Sequence, residues 1–209
     1  MLKELIEYYS INGSYVFDQF VRHFLISIYG VFFAAIVMIP LGFYLARHHK
    51  LAGWVISIAN LIQTVPSLAM LSIVMMALGL GPTTVVVVVF LYSLLPIVKN
   101  TYTAVTNVDK SLLDVAKGMG MKKIQMIFKV ELPLSISVIL GGVRNALVVA
   151  IGITAIGTFI GAGGLGDIIT RGVNVTDGGS LILAGALPTS LMAISIDVIL
   201  AIVEKRLVR

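Results

Sequence analysis

The 209-residue chain is 58% hydrophobic and only 12% charged, with a formal net charge of +5. A soluble domain carries about 25% charged residues, so there is too little polar surface here to cover the apolar volume, and an ordinary globular enzyme is excluded. With no cysteine, the chain also has no disulfide framework, thiol chemistry or thiolate metal site. The composition is that of an integral membrane protein, in which a modest positive charge reports topology rather than nucleic-acid binding.

Residues 1–21 read as an amphipathic N-terminal segment. Leu2, Leu5, Ile6 and Tyr9 fall at helical spacing, Asn12-Gly13 interrupts them, and Phe17, Phe20 and Val21 resume the pattern. Lys3, Glu4, Glu7 and Asp18 argue against a cleavable signal peptide. Tyr8, Tyr9 and Tyr15 suit a headgroup layer. The expectation is a pair of short helices lying on the outer membrane surface, followed by a transmembrane domain over 22–209.

Five spans are predicted. Phe24–Ala46 is uncharged and long enough for a hydrocarbon core of about 30 Å. Trp54–Leu80 carries Pro66 near its middle, with Gln63, Thr64 and Val65 placed to satisfy the backbone groups that the proline frees. Thr83–Val98 is valine-rich, and Leu134–Ile160 is interrupted only by Arg144 and Asn145. Residues 161–179 form a glycine-rich loop, and Ser180–Val203 carries Asp197.

An odd number of spans puts the termini on opposite sides. Arg47, Lys50, the lysines from Lys99 to Lys129, and Lys205, Arg206 and Arg209 share one face, against Lys3, Arg22 and Arg171 on the other. The positive-inside rule then places the 99–133 region and the C-terminus in the cytoplasm and the N-terminus outside. Gly142, Ala146 and Ala150 at four-residue spacing, extended by Gly157 and Gly161, form a small-residue face for helix packing, within the chain or to another subunit.

The long polar interruption at 107–133 has an ordered pattern. Ser111 and Asp114 have capping-box spacing, which predicts a helix through Lys117. Gly118 and Gly120 allow a turn, and a second amphipathic stretch follows with Ile124, Ile127 and Phe128 on one face, stopped by Leu132-Pro133. A helix–turn–helix lying across the cytoplasmic surface is shaped to sit in another protein's groove.

This loop resembles the signature of ABC-transporter inner-membrane permeases, Glu-Ala-Ala, three residues, Gly, nine residues, Ile-x-Leu-Pro. Asp114-Val115-Ala116 stands for the triplet, Gly120 for the glycine and Val130-x-Leu132-Pro133 for the end, with both spacings intact. Ile62–Ala69, Ser93–Tyr102 and Thr158–Asp167 resemble the osmoprotectant branch. The resemblance implies an all-α, five-transmembrane-helix importer permease fold of the methionine-importer type. It also implies that Asp114, Val115, Ala116, Gly118, Gly120, Val130, Leu132 and Pro133 couple the chain to a dimeric cytoplasmic ATPase. The implied partners are that ATPase, a second permease chain, the same or homologous, and an external binding protein. The implied substrates are glycine betaine, carnitine or choline, with another small solute such as methionine as the alternative.

Gly161-Ala162-Gly163-Gly164-Leu165-Gly166 matches a dinucleotide fingerprint literally, but that motif needs a preceding strand, and here a span precedes it. A re-entrant or gate-side turn is expected instead. No P-loop occurs, so the chain is expected to be no enzyme, to hold no cofactor or metal, and to take its energy from another subunit. No Asp or Glu lies between His23 and Val108, which argues against a stand-alone proton- or sodium-coupled carrier. No spaced catalytic constellation supports an intramembrane enzyme. Arg144 and Asp197, about 15 Å and about 9 Å deep from the cytoplasmic ends by helical rise, are expected to pair, or Arg144 to bond carbonyls at a subunit interface, in a structural or gating role. His23, His48 and His49 are expected at membrane borders as anchors.

Overall fold

A computed structural model describes residues 1–207, and among them every regular element is helical. Arg209, counted above among the tail's cations, lies outside the described residues. The long elements are α1 (Leu2–Leu45), α4 (Pro82–Thr106), α7 (Leu132–Ile156) and α9 (Gly179–Leu207), each apolar and long enough to cross a membrane. The candidate for the fifth span is a bent pair, α2 (His49–Thr64) and α3 (Ser67–Leu78), which meet at 98°. The bend falls at Val65-Pro66, where Pro66 cannot donate to the helix and holds Val65 extended.

The predicted side chains do serve this break. Thr64 donates to Leu61 O at 2.7 Å, and Gln63 Nε2 donates to the Tyr92 carbonyl at 2.7 Å. Tyr92, on α4, returns its hydroxyl to Val65 O.

Asn12 (φ −112°, ψ 18°) is non-helical and divides α1 into two helices at a kink, and the second of them runs on into the first span with no break at residue 21. Docking against the far end of the bundle holds residues 1–21 in place: Leu5 and Val16 are buried, and Tyr9 donates to Ala184 O at 3.1 Å. A free surface helix would have had no such partner.

The main core is built from α1, α4 and α7, with Val31, Ala34, Val85, Val88, Val89, Ile97, Ala146 and Ala150 at its centre. Close approach of α7 to α4 depends on Gly142, where a Cβ would stand 2.7 Å from both Asn100 Cβ and Pro96 O. The Gly142–Ala146–Ala150 face therefore packs inside the chain. A second, smaller cluster joins Phe43, Ala104, Val105 and Ile139 near the loop end of the bundle.

The 161–179 region contains a helix, α8 (Leu165–Val173), that packs on α9. His23 is not a border anchor. It is fully buried on α1, with Nε2 3.0 Å from Ile151 O on α7, because two neighbouring helices cover it on the inward face of α1.

Candidate functional site

Within 107–133, α5 spans Lys110–Gly118. It starts earlier than the capping-box spacing suggests, and the cap is Asp109, whose carboxylate accepts from Ser111 N at 2.8 Å. That hydrogen bond holds the Asp109 carboxyl below its ordinary range. Asp114, freed from capping, pairs with Lys117 at 3.0 Å on the exposed side.

The helix ends in a Schellman motif. Gly120 has φ +76°, its N–H donates to Lys117 O at 2.9 Å, and Met121 N–H donates to Ala116 O at 3.1 Å. Gly120 is thus required by backbone conformation. Gly118 is not: nothing lies within 4 Å of its Cβ position.

The expected second amphipathic helix is short. α6 covers only Lys123–Met126, with Lys122 N donating to Gln125 Oε1 at 2.8 Å, and Ile127–Glu131 forms a π turn that runs directly into α7. Leu132-Pro133 does not stop the chain. Pro133 sits in the first turn of α7, where a missing N–H is tolerated, and the wide π turn ahead of it accommodates the ring.

Four of the predicted coupling residues, Val115, Ala116, Val130 and Pro133, line one shallow groove of about 330 Å³ between α5 and the start of α7. Ala116 is only 3% exposed and sets how closely α5 lies on that segment, whereas Val115 is 62% exposed. Leu132 packs on the opposite side, against the Phe43–Ile139 cluster. Leu112 and Met119 line the same groove and are exposed, and Ile124 and Phe128 are exposed elsewhere in the loop, so its free surface is largely apolar. Pattern reading found Ile124 and Phe128; Leu112 and Met119 become visible only once α5 has an orientation.

Behind the loop lies a polar contact that no local pattern signalled. Glu131 is 4% exposed and accepts from Arg47 Nη2 through both oxygens, at 2.8 and 2.6 Å. Arg47 Nη1 also donates to Phe43 O at 2.6 Å, one of the last carbonyls of α1.

Arg144 does meet Asp197, with 3.4 Å between Nε and the carboxylate, but the alignment is not that of a hydrogen bond. The tighter partner is Glu204, which accepts from Arg144 Nη2 at 2.8 Å and from the Ser137 hydroxyl. The predicted last span stopped at Val203, one residue short of Glu204; the continuation of α9 to Leu207 carries Glu204 alongside α7.

At the far end of the bundle the fingerprint-like glycines form a packed turn. Gly161, Gly163 and Gly164 have positive φ, and Gly164 N donates to Gln19 Oε1 on α1 at 2.6 Å. Tyr15 donates to Asp167, which also pairs with Arg171 at 2.9 Å, and the Arg171 guanidinium lies 5.1 Å from the Tyr15 ring centroid. The turn follows a helix and a 3₁₀ turn, not a strand. Among the described residues no cluster of His, Asp or Glu could hold a metal.

A helical bundle with a bent span and a loop of this motif defines a class. Residues 38–209 match the family described as binding-protein-dependent transport system inner membrane component, and the chain belongs to that family. Its fold is that of the inward-facing MetNI methionine ABC transporter, with a TM-score of 0.82 over 93% of this chain and 96% of that one; at 19% identity the likeness concerns fold alone. Among curated proteins, the carnitine transport permease protein OpuCD of Listeria monocytogenes is 63% identical over 99% of this chain and 92% of its own length. The glycine betaine/carnitine/choline transport system permease protein OpuCD of Bacillus subtilis is 56% identical over 99% and 90%.

Proposed function

We propose that this chain is the membrane permease of an ATP-driven importer for quaternary ammonium osmoprotectants of the glycine betaine, carnitine and choline class. The observation that carries this reading is identity of more than half, along nearly the whole chain, to permeases named for those solutes. The methionine alternative has only a shared fold behind it.

In this reading the 107–133 loop and the C-terminus are cytoplasmic and the N-terminus is outside, which agrees with the cation asymmetry. The apolar face around Val115 docks into an ATPase subunit, one on each of two permeases, and an external binding protein delivers the solute. ATP-driven approach of the two ATPases moves the docked loops and with them the spans. Asp114 and the loop's lysines orient the contact, Ala116 and Gly120 shape it, and Val130 and Pro133 complete the groove.

The test is uptake of labelled carnitine and choline into liposomes holding the chain with its copurified subunits. Uptake that requires the ATPase and ATP supports the reading; uptake by the chain alone would assign it to stand-alone carriers instead. Gly118→Trp fills space that the chain itself leaves open, so it should leave the permease folded while removing ATPase copurification and ATP-dependent uptake. Full uptake by that variant would contradict docking at this face.

A further inference from the structure

We propose that the Arg47–Glu131 pair is a positioning latch that makes the membrane helices follow the 107–133 loop; this rests on the reading of that loop as the ATPase dock. Glu131 is the last residue of the π turn, and α7 begins at the next residue. A π turn interrupts the regular hydrogen-bond ladder of the helix, and helices kink at such turns. It is therefore the place where a push on α5 and α6 would be lost by local bending.

The latch braces this joint from outside. Arg47 holds both oxygens of Glu131 with one nitrogen and an α1 carbonyl with another, which ties the start of α7 to the end of α1. Directly beside it, Phe43, Val105 and Ile139 bind α1, α4 and α7 into a cluster separate from the main core. Exposed ion pairs add little rigidity. Here the carboxylate is nearly fully buried, and without Arg47 it would be a buried charge with no partner. Neither residue lines the groove beside Val115; they line a separate one with Lys110 and Leu113 of α5.

The experiment uses the complete transporter in liposomes and measures solute taken up per ATP hydrolysed. Glu131→Gln and Arg47→Ala should keep the ATPase bound and hydrolysing, while uptake per ATP falls about fivefold or more, the scale of a lost coupling between two sites. The charge exchange R47E/E131R should recover most of the ratio. Because the chain has no cysteine, the pair R47C/E131C can be joined by a short thiol cross-linker, and joining should raise the ratio within the same preparation.

Wild-type uptake per ATP in Glu131→Gln would overturn the latch. So would a ratio lowered in the single variants that neither the exchange nor the cross-link recovers, since general loss of stability gives that result. If a single variant fails to assemble, the exchange and the cross-linked pair decide. Failure of the underlying reading looks different: Val115→Cys in the otherwise unaltered complex would then not cross-link to the ATPase.

Discussion

Gly164 and Gly166 at the far end and Gly118 and Gly120 in the 107–133 loop have opposite surroundings. At the first pair a side chain has nowhere to go: a Cβ on Gly166 would lie 2.0 Å from Ala155 O, and one on Gly164 would lie 3.2 Å from His23 Nδ1, although Gly161 nearby has open space. In the 107–133 loop, nothing lies within 4 Å of the Cβ positions of Gly118 and Gly120. The first set is small because the protein's own packing demands it. The second leaves room that the chain does not fill, and Gly118 is not even needed for backbone conformation. The contrast separates a turn built for internal fit from a surface shaped for another molecule.

The largest expected effect comes from Gly166→Ala. Its new methyl meets a backbone carbonyl that only a shift of α8 from α7 could relieve, a destabilisation of about 3 kcal/mol. The measurement is thermal unfolding of the purified permease in detergent; an unchanged midpoint would break the comparison. Gly120→Val should cost about 1–2 kcal/mol from the left-handed backbone alone, and should lose ATP-dependent uptake further than that cost explains, which unfolding and uptake assays on one preparation would separate. Tyr15→Phe removes one hydrogen bond at the far end while Arg171 keeps Asp167 partnered. It should cost about 1 kcal/mol and lower the unfolding midpoint slightly.

The smallest effect concerns the Asp109 cap. Its carboxyl is held below its ordinary value by the Ser111 N–H, so the cap is fully formed above that ordinary value and is lost as pH falls through the lowered one. Hydrogen exchange of the first turn of α5 should quicken only under that acid condition, or at neutral pH in Asp109→Ala. The far-end helices should show no matching change.

Much of this was legible in the sequence, for local reasons. Uncharged runs gave the spans, Pro66 gave the break, and the loop's spacing gave its class. Asn12-Gly13 was legible as a break, but the docking of the N-terminal segment on the bundle was hidden, because its partners Ala184 and Asp167 lie far along the chain. Glu131 and Glu204 were hidden for a related reason. Each lies in a stretch that reads as solvated, and their arginine partners stand 84 and 60 residues away. A capping residue was misplaced by two positions because Asp109 and Ser111 both qualify by type, and backbone conformation chooses between them.

The bent span bears on how the protein stays leak-proof. By helical rise α2 is about 24 Å long and α3 about 18 Å, so neither arm alone crosses a core of about 30 Å. Their corner therefore lies at a depth where lipid offers no hydrogen bonds and a bare peptide group would draw in water. Tyr92 seals that corner from both directions, its carbonyl taking the Gln63 amide and its hydroxyl covering Val65 O. The insulation of the membrane at this corner thus rests on α4 as well as on Gln63 and Thr64 of the bent pair itself.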